Sequence, residues 1–168
     1  MSWRPEAWVL FCSIGWVLFG LGCGYHLRDK SPVSLPEEYR SLFIASVDNP
    51  TLKPWLEARL RAMVRDEFTR RGRIEWVPRD QASAFLRIKV YDFSSSTSVS
   101  GSKDETVKSA AGIDLEAWIV SRKDGSVLWR SNRVSCGQSF LAGGRDQAEA
   151  KVLDLAVREL ADRLGWDF

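Results

Sequence analysis

The 168-residue chain reads as an α+β fold, a two-layer sandwich with two helices packed on one face of a four-stranded mixed sheet (order β-α-β-β-β-α). Three observations predict it. Two stretches repeat apolar residues every three or four positions, the signature of amphipathic helices. Other stretches alternate apolar with polar residues, as half-buried strands do. The first helical stretch falls between two strands, so that pair is expected parallel through a right-handed crossover, while later strands follow in hairpins. Both helix stripes need an apolar surface, and one face of a sheet supplies it for both.

In chain order, Leu42-Phe-Ile-Ala-Ser-Val47 is the first strand, ended by Asp48-Asn49-Pro50. Thr51 is expected to cap the following helix, with Pro54 in its first turn, where no amide donor is needed. Leu52, Leu56, Leu60, Met63, Val64 and Phe68 form its apolar stripe; Arg59, Arg61, Arg65 and Asp66 lie off it, and Gly72 ends it. The second strand runs from Ala84 to about Phe93, with Leu86, Ile88 and Val90 on one face and Arg87 and Lys89 on the other. The third, Ile113 to Val120, sets Ile113, Leu115, Ala117 and Ile119 against Asp114, Glu116 and Trp118. The Ser- and Thr-rich stretch 94–106 between them fits a linker or a long hairpin projecting past the core; strand-tolerant Ser and Thr and a turn at 101–105 favour the hairpin. Lys123-Asp124-Gly125 is a turn into a fourth strand, Val127 to about Cys136. Gly143 and Gly144 precede the last helix, Arg145 to Leu164, whose stripe is Leu153, Val157, Leu160 and Leu164 widened by Val152 and Ala156; Gly165 stops it.

The amino terminus carries a different signal. From Ala7 to Leu21 no residue is charged, a run suited to a signal-peptide core and short of the roughly 20 residues a spanning helix needs. Cys23 stands where the run stops, behind Gly22, which suits a scissile bond. This is the arrangement of a bacterial lipoprotein cleavage site, although Gly20 and Leu21 stand in the reverse of the usual order. An uncleaved amino-terminal anchor is the alternative. The expected organisation is a signal peptide over 1–22, a lipidated linker with Pro32 and Pro36 over 23–38, and a single domain over 39–168. A diacylglycerol and an N-acyl chain on Cys23 would hold the protein essentially permanently, at about 0.8 kcal/mol per buried methylene. Gly24 follows the cysteine where enteric inner-membrane lipoproteins carry aspartate, which points to the periplasmic face of the outer membrane.

Composition narrows the chemistry. The formal net charge of +2 is too small for a nucleic-acid binder. Of the three cysteines, Cys12 leaves with the signal and Cys23 takes lipid, so Cys136 remains alone as a small buried hydrophobe at the end of a strand or as a free thiol. A single histidine, His26, beside the lipidated end makes a poor general base and a poor zinc site. With no phosphate loop and no paired carboxylates, neither enzyme activity nor a cofactor or metal is expected.

Cys23-Gly24-Tyr25-His26-Leu27-Arg28, the Asp48-Asn49-Pro50-Thr51 junction, the Leu52, Leu56, Leu60 register and the Asp124-Gly125 hairpin together resemble the LptE (RlpB) family of lipopolysaccharide-assembly lipoproteins. The resemblance covers nearly all of the chain after Cys23. It implies a plug inside the outer-membrane β-barrel LptD that supports folding of the barrel and helps deliver lipopolysaccharide (LPS) to the outer leaflet, with LptD and LPS as partners.

Contact residues come from chemistry. Lipid A phosphates favour Lys and Arg. Lys103 and Lys108 flank the expected hairpin tip, and Arg122, Lys123 and Arg130 surround the next turn; these are the candidate LPS contacts. Tyr91 and Trp118 fall opposite the apolar stripes, where a covering partner would explain them, and Trp129 fits either face. His26 and Arg28 are candidates for lipid headgroups or barrel residues. Rival readings are an auxiliary lipoprotein of a lipid-exporting ABC transporter and a peptidoglycan- or small-ligand-binding lipoprotein.

Overall fold

The computed structural model describes Val33 and residues 35–98, 108–141 and 143–166. The expected signal peptide, Cys23, His26, Arg28 and Lys103 lie outside the described residues. The elements are β1 (Ser41–Asp48), α1 (Trp55–Arg71), β2 (Glu75–Trp76), β3 (Ala84–Ser98), β4 (Lys108–Ser121), β5 (Val127–Arg130), β6 (Val134–Phe140) and α2 (Arg145–Trp166).

The sheet is mixed, and it has six strands where four were expected. Its order is β2-β1-β3-β4-β5, with β6 also paired to β4. β1 runs parallel to β2 and β3, and β4 is antiparallel to β3, β5 and β6. Since β3 takes one side of β4 along its whole length, β5 and β6 must lie end to end along the other. They are the single strand expected over 127–136, broken and prolonged. The break is at Ser131-Asn132-Arg133, where Asn132 has φ 55°, a left-handed conformation that Asn tolerates better than most residues. Ser131 stitches it: its amide donates to the Ala117 carbonyl (2.8 Å) and its hydroxyl accepts the Ala117 amide (2.9 Å).

The core faces of the strands meet both helices in one cluster. Leu56, Leu60, Val64 and Phe68 of α1 and Val152, Leu153, Ala156, Leu160 and Leu164 of α2 are buried over Leu42, Ile44, Leu86, Ile88, Ile113, Leu115 and Ile119. The alternation slips one residue between Ile44 and Val47 and again between Val90 and Phe93, and a bulge absorbs each slip. The second keeps Phe93 inside and leaves Tyr91 and Asp92 both outward. Trp129, opposite Ile119, belongs to the core face.

Three local expectations are corrected. Helix α1 begins after Pro54 with no side-chain cap; Thr51 instead bonds Asn49 Oδ1 through its amide (3.2 Å) and hydroxyl (2.6 Å), closing a turn before the helix. Leu52 therefore leaves the stripe and is fully exposed. Gly165 lies within the last turn of α2, which continues to Trp166. Cys136 is half-buried in the middle of β6, not buried at a strand end, and burial pushes its thiol pKa up.

The described part of the polar stretch after Phe93, residues 94–98, is strand paired antiparallel with the start of β4, as the hairpin reading expects; the turn expected at 101–105 lies outside the described residues. Strand pairing continues from Ser94 opposite Gly112 to Ser98 opposite Lys108, past the core. The Asp124-Gly125 turn forms as read, with Gly125 at φ 71° and a Ser121 amide bond to the Ser126 carbonyl (2.8 Å).

Candidate partner-binding face

The sheet face opposite the helices is built by the residues between the core positions: Phe43 on β1, Phe85, Arg87, Lys89 and Tyr91 on β3, Asp114, Glu116 and Trp118 on β4, and Arg130 on β5. Register brings them together in rows. Phe43 pairs with Phe85, whose ring meets it edge-on at 6.5 Å. Trp118 lies between Arg87 and Arg130 on its two neighbours, and Lys89 is opposite Glu116.

Cations cover the aromatic rings. The guanidinium carbon of Arg79 is 5.9 Å from the Phe85 centroid, and that of Arg130 is 5.9 Å from Trp118. Tyr91 carries Lys89 Nζ at 5.0 Å and the Arg133 guanidinium at 4.3 Å. Such contacts are worth about 0.5–1 kcal/mol each at exposed sites and fix long side chains that would otherwise wander. Glu116 holds the centre. Its carboxylate accepts Tyr91 Oη (2.8 Å) and pairs with Arg130 Nε (2.6 Å), while Arg133 approaches Asp114 (3.7 Å). The bond to Glu116 raises the Tyr91 pKa from its ordinary value, because ionisation would set a phenolate against a carboxylate.

Of the residues singled out from the sequence, Tyr91, Trp118 and Arg130 thus come together on this face. Among the described residues the other candidate cations, Lys108, Arg122 and Lys123, do not join them. Lys108 opens β4, whereas Arg122 and Lys123 follow its far end; fourteen strand residues separate these ends by roughly 45 Å at about 3.3 Å per residue. Arg122 donates to the carbonyls of Asp80 and of Ala82 (3.3 Å), tying the preceding turn to the sheet, and Lys123 is exposed in the hairpin turn. Phe43, Phe85, Arg79 and Arg133 were missed. The alternation that exposed Tyr91 and Trp118 also marks Phe43 and Phe85; Arg133 had no such signal, because the break at Asn132 aims it.

An open groove of about 560 Å³ lies elsewhere, between the end of β6 and the start of α2, lined by Gln138, Phe140, Leu141, Gln147 and Lys151 among others. Among the described residues no helix is long and apolar enough to cross a membrane, and no group of three or more His, Cys, Asp or Glu could hold a metal ion.

Solved structures similar to this chain include the PelC dodecamer from Paraburkholderia phytofirmans (TM-score 0.55, 12% identity, 76% of this chain and 89% of that one). Protein XCC0632 from Xanthomonas campestris is similar at TM-score 0.53 and 18% identity, over 83% of this chain and 87% of that one. A neuraminyllactose-binding hemagglutinin homologue from Helicobacter pylori is similar at TM-score 0.52 and 13% identity, over 85% and 89%. At these identities the likeness shows the fold alone. No curated protein sequence matches the chain. The model of the LptE family, described as lipopolysaccharide-assembly, matches residues 39–167, nearly the whole domain. The chain belongs to the LptE family of lipopolysaccharide-assembly proteins.

Proposed function

We propose that this protein is an outer-membrane lipoprotein, held on the periplasmic face by acyl chains on Cys23, that plugs the LptD β-barrel, supports its folding and assists assembly of LPS. The observation that carries this reading is the sheet face opposite the helices, which no described element covers. Phe85, Tyr91 and Trp118 each carry a cation over the ring, and with Phe43 they span three neighbouring strands, so much of the contact surface is arranged before any partner arrives. Interfaces favour Trp, Tyr and Arg, and preorganised side chains cost less entropy on binding. In this reading Tyr91 and Trp118 meet the barrel wall, and Lys103 and Lys108, at the hairpin, meet LPS phosphates. Arg122, Lys123 and Arg130 are the further candidate phosphate contacts, with Arg130 shared between the two surfaces.

The test is site-specific photocrosslinking from position 118 in cells, with Arg59 on the exposed side of α1 as the control position. Crosslinks to LptD from 118 and not from 59 are expected. Capture of an inner-membrane transporter, or equal capture from both positions, would overturn the reading. Charge reversal at Lys103 and Lys108 is expected to weaken LPS binding by the purified protein, and undiminished binding would remove those residues from the site. Mass spectrometry of the purified protein is expected to find diacylglycerol and an N-acyl chain on Cys23.

A further inference from the structure

The break between β5 and β6 lies beside the partner-binding face, yet it is held from the helix layer. Trp118 of β4 is opposite Arg130 and Leu115 is opposite Val134, so the three residues Ser131-Asn132-Arg133 span what Glu116 and Ala117 span on β4. The extra residue reverses the alternation. In a regular strand Arg130 and Arg133 would point to opposite faces; here both reach the face away from the helices. There Arg130 pairs with Glu116 (2.6 Å), and Arg133 lies over Tyr91 (4.3 Å) and approaches Asp114 (3.7 Å). Tyr91 is itself the extra residue of the β3 bulge, so the two irregularities flank the same stretch of β4. All three carbonyls of the break accept side-chain donors. That of Asn132 takes the Ser131 hydroxyl (2.7 Å), and those of Ser131 (2.6 Å) and Arg133 (3.2 Å) take Nη1 of Arg163 on α2. Glu159, one turn earlier on α2, accepts Arg163 Nε (3.0 Å) and sets the plane of the guanidinium.

We propose that Arg163 is a positioning residue for partner binding: from the helix layer it holds the break at Asn132, and so keeps Arg133 over Tyr91 on the opposite side of the sheet. A left-handed residue other than glycine persists where its surroundings over-determine it, and Asn132 at φ 55° has a bonded carbonyl on either side. Arginine suits the task, because Nη1 carries a hydrogen for each carbonyl while Nε remains for Glu159. Arg133 needs such help. Its side chain is half-exposed and its pairing with Asp114 is long, a contact that by itself fixes little. Where its guanidinium can reach is therefore set by the backbone that Arg163 holds. The consequence for binding rests on the reading of this face as a barrel contact; the positioning itself does not.

The test is NMR of the arginine side chains in the purified full chain in detergent micelles, paired with crosslinking in cells. The Tyr91 ring current shifts the Arg133 side-chain protons upfield, and Tyr91→Leu gives their unshifted position. Arg163→Met is expected to return them most of the way to it, while Arg130, over Trp118, keeps its own shift. Arg163→Lys, one bond shorter and without the Nε donor, is expected to move them part of the way. Arg163 is partly exposed, so water can take up the freed carbonyls, and the retained Arg130 shift reports an intact sheet. In cells, crosslinking from position 118 to LptD is expected to fall several-fold in Arg163→Met and in Arg133→Met, and no further in the double variant, because residues acting through one contact are not additive. Unmoved Arg133 resonances in Arg163→Met, joint loss of the Arg130 shift in both Arg163 variants, or undiminished crosslinking despite the lost Arg133 shift would overturn the proposal. The expected shifts in a chain whose wild type captures no LptD would uphold the positioning role and refute the barrel reading alone.

Discussion

Lys53 Nζ lies 2.6 Å from Glu149 Oε1, joining the turn before α1 to the first turns of α2. Ser95 Oγ donates to the same carboxylate oxygen at 2.9 Å, so the hairpin base is held at the same point. The ammonium also sits 4.7 Å from the Phe93 centroid, and Trp55 meets Phe93 edge-on at 5.7 Å. Three segments distant in sequence are thereby fastened where α1 has no capping side chain of its own.

Burial alone would push the Glu149 carboxyl pKa up. The bonds from Lys53 and Ser95 outweigh it and hold the group below its ordinary 4.5. The stabilisation is therefore complete above the unfolded carboxylate range and is lost as pH falls through the depressed folded-state value. Glu149→Gln should cost about 1.5–3 kcal/mol at neutral pH, the scale of a charged hydrogen bond. Urea denaturation of both proteins through the acid range should show that gap closing; a gap independent of pH would contradict the assignment.

Between the helices, Arg71 is almost fully buried with Glu67, which it meets at 2.6 Å, and it also pairs with Asp162. Arg70 reaches the same Glu67 from a half-exposed position. Arg71→Ala should cost about 3–5 kcal/mol, because it leaves a buried carboxylate poorly compensated. Arg70→Ala should cost no more than about 1 kcal/mol, as exposed pairs do. Equal losses in thermal denaturation would refute the distinction.

A β-carbon on Gly72 would overlap the carbonyl oxygen of Val33, where the incoming chain forms a parallel bridge against the end of α1. The backbone of Gly72 is extended, so close approach and not handedness demands glycine here. Gly72→Ala should destabilise the fold by about 1–3 kcal/mol, the usual cost of overpacking, and should speed amide exchange at Val33, whose N–H bonds the Arg71 carbonyl at 3.2 Å. Unchanged exchange at Val33 would mean that the segment yields without loss.

In the β4–β5 hairpin, hydrogen bonds from Ser121 and then Ser126 lower the Asp124 carboxyl pKa from 3.8 to about 2. The Ser126 hydroxyl and amide both reach Asp124 Oδ1, at 2.8 and 3.1 Å. Carboxyl chemical shifts followed against pH should give this low midpoint, and Ser126→Ala should raise it. The turn should be tightest above the unfolded carboxylate range and loosen only as pH falls through about 2.

Much of this architecture is legible in the residue pattern, for reasons particular residues make clear. Leu56, Leu60, Val64 and Phe68 can share a face only on a helix, and Leu86, Ile88 and Val90 only on a strand. Even the bulges are written there, because Val47 and Phe93 fall one position out of phase with the residues before them. The open face was half legible. Tyr91 and Trp118 stood out as aromatics opposite the core, but nothing local to Arg133 or Glu116 announces that they meet around Tyr91.

Sequence by itself determined which side of every major strand and helix is apolar, and hence a helix-covered sheet with one free face, because periodicity is a property of neighbours along the chain. Only the tertiary structure decided that Asn132 splits the last strand, that Gly72 is required by Val33, and that Lys53 finds Glu149. Those outcomes depend on which distant segments come within a few ångströms, where sterics and hydrogen bonding act regardless of separation along the chain.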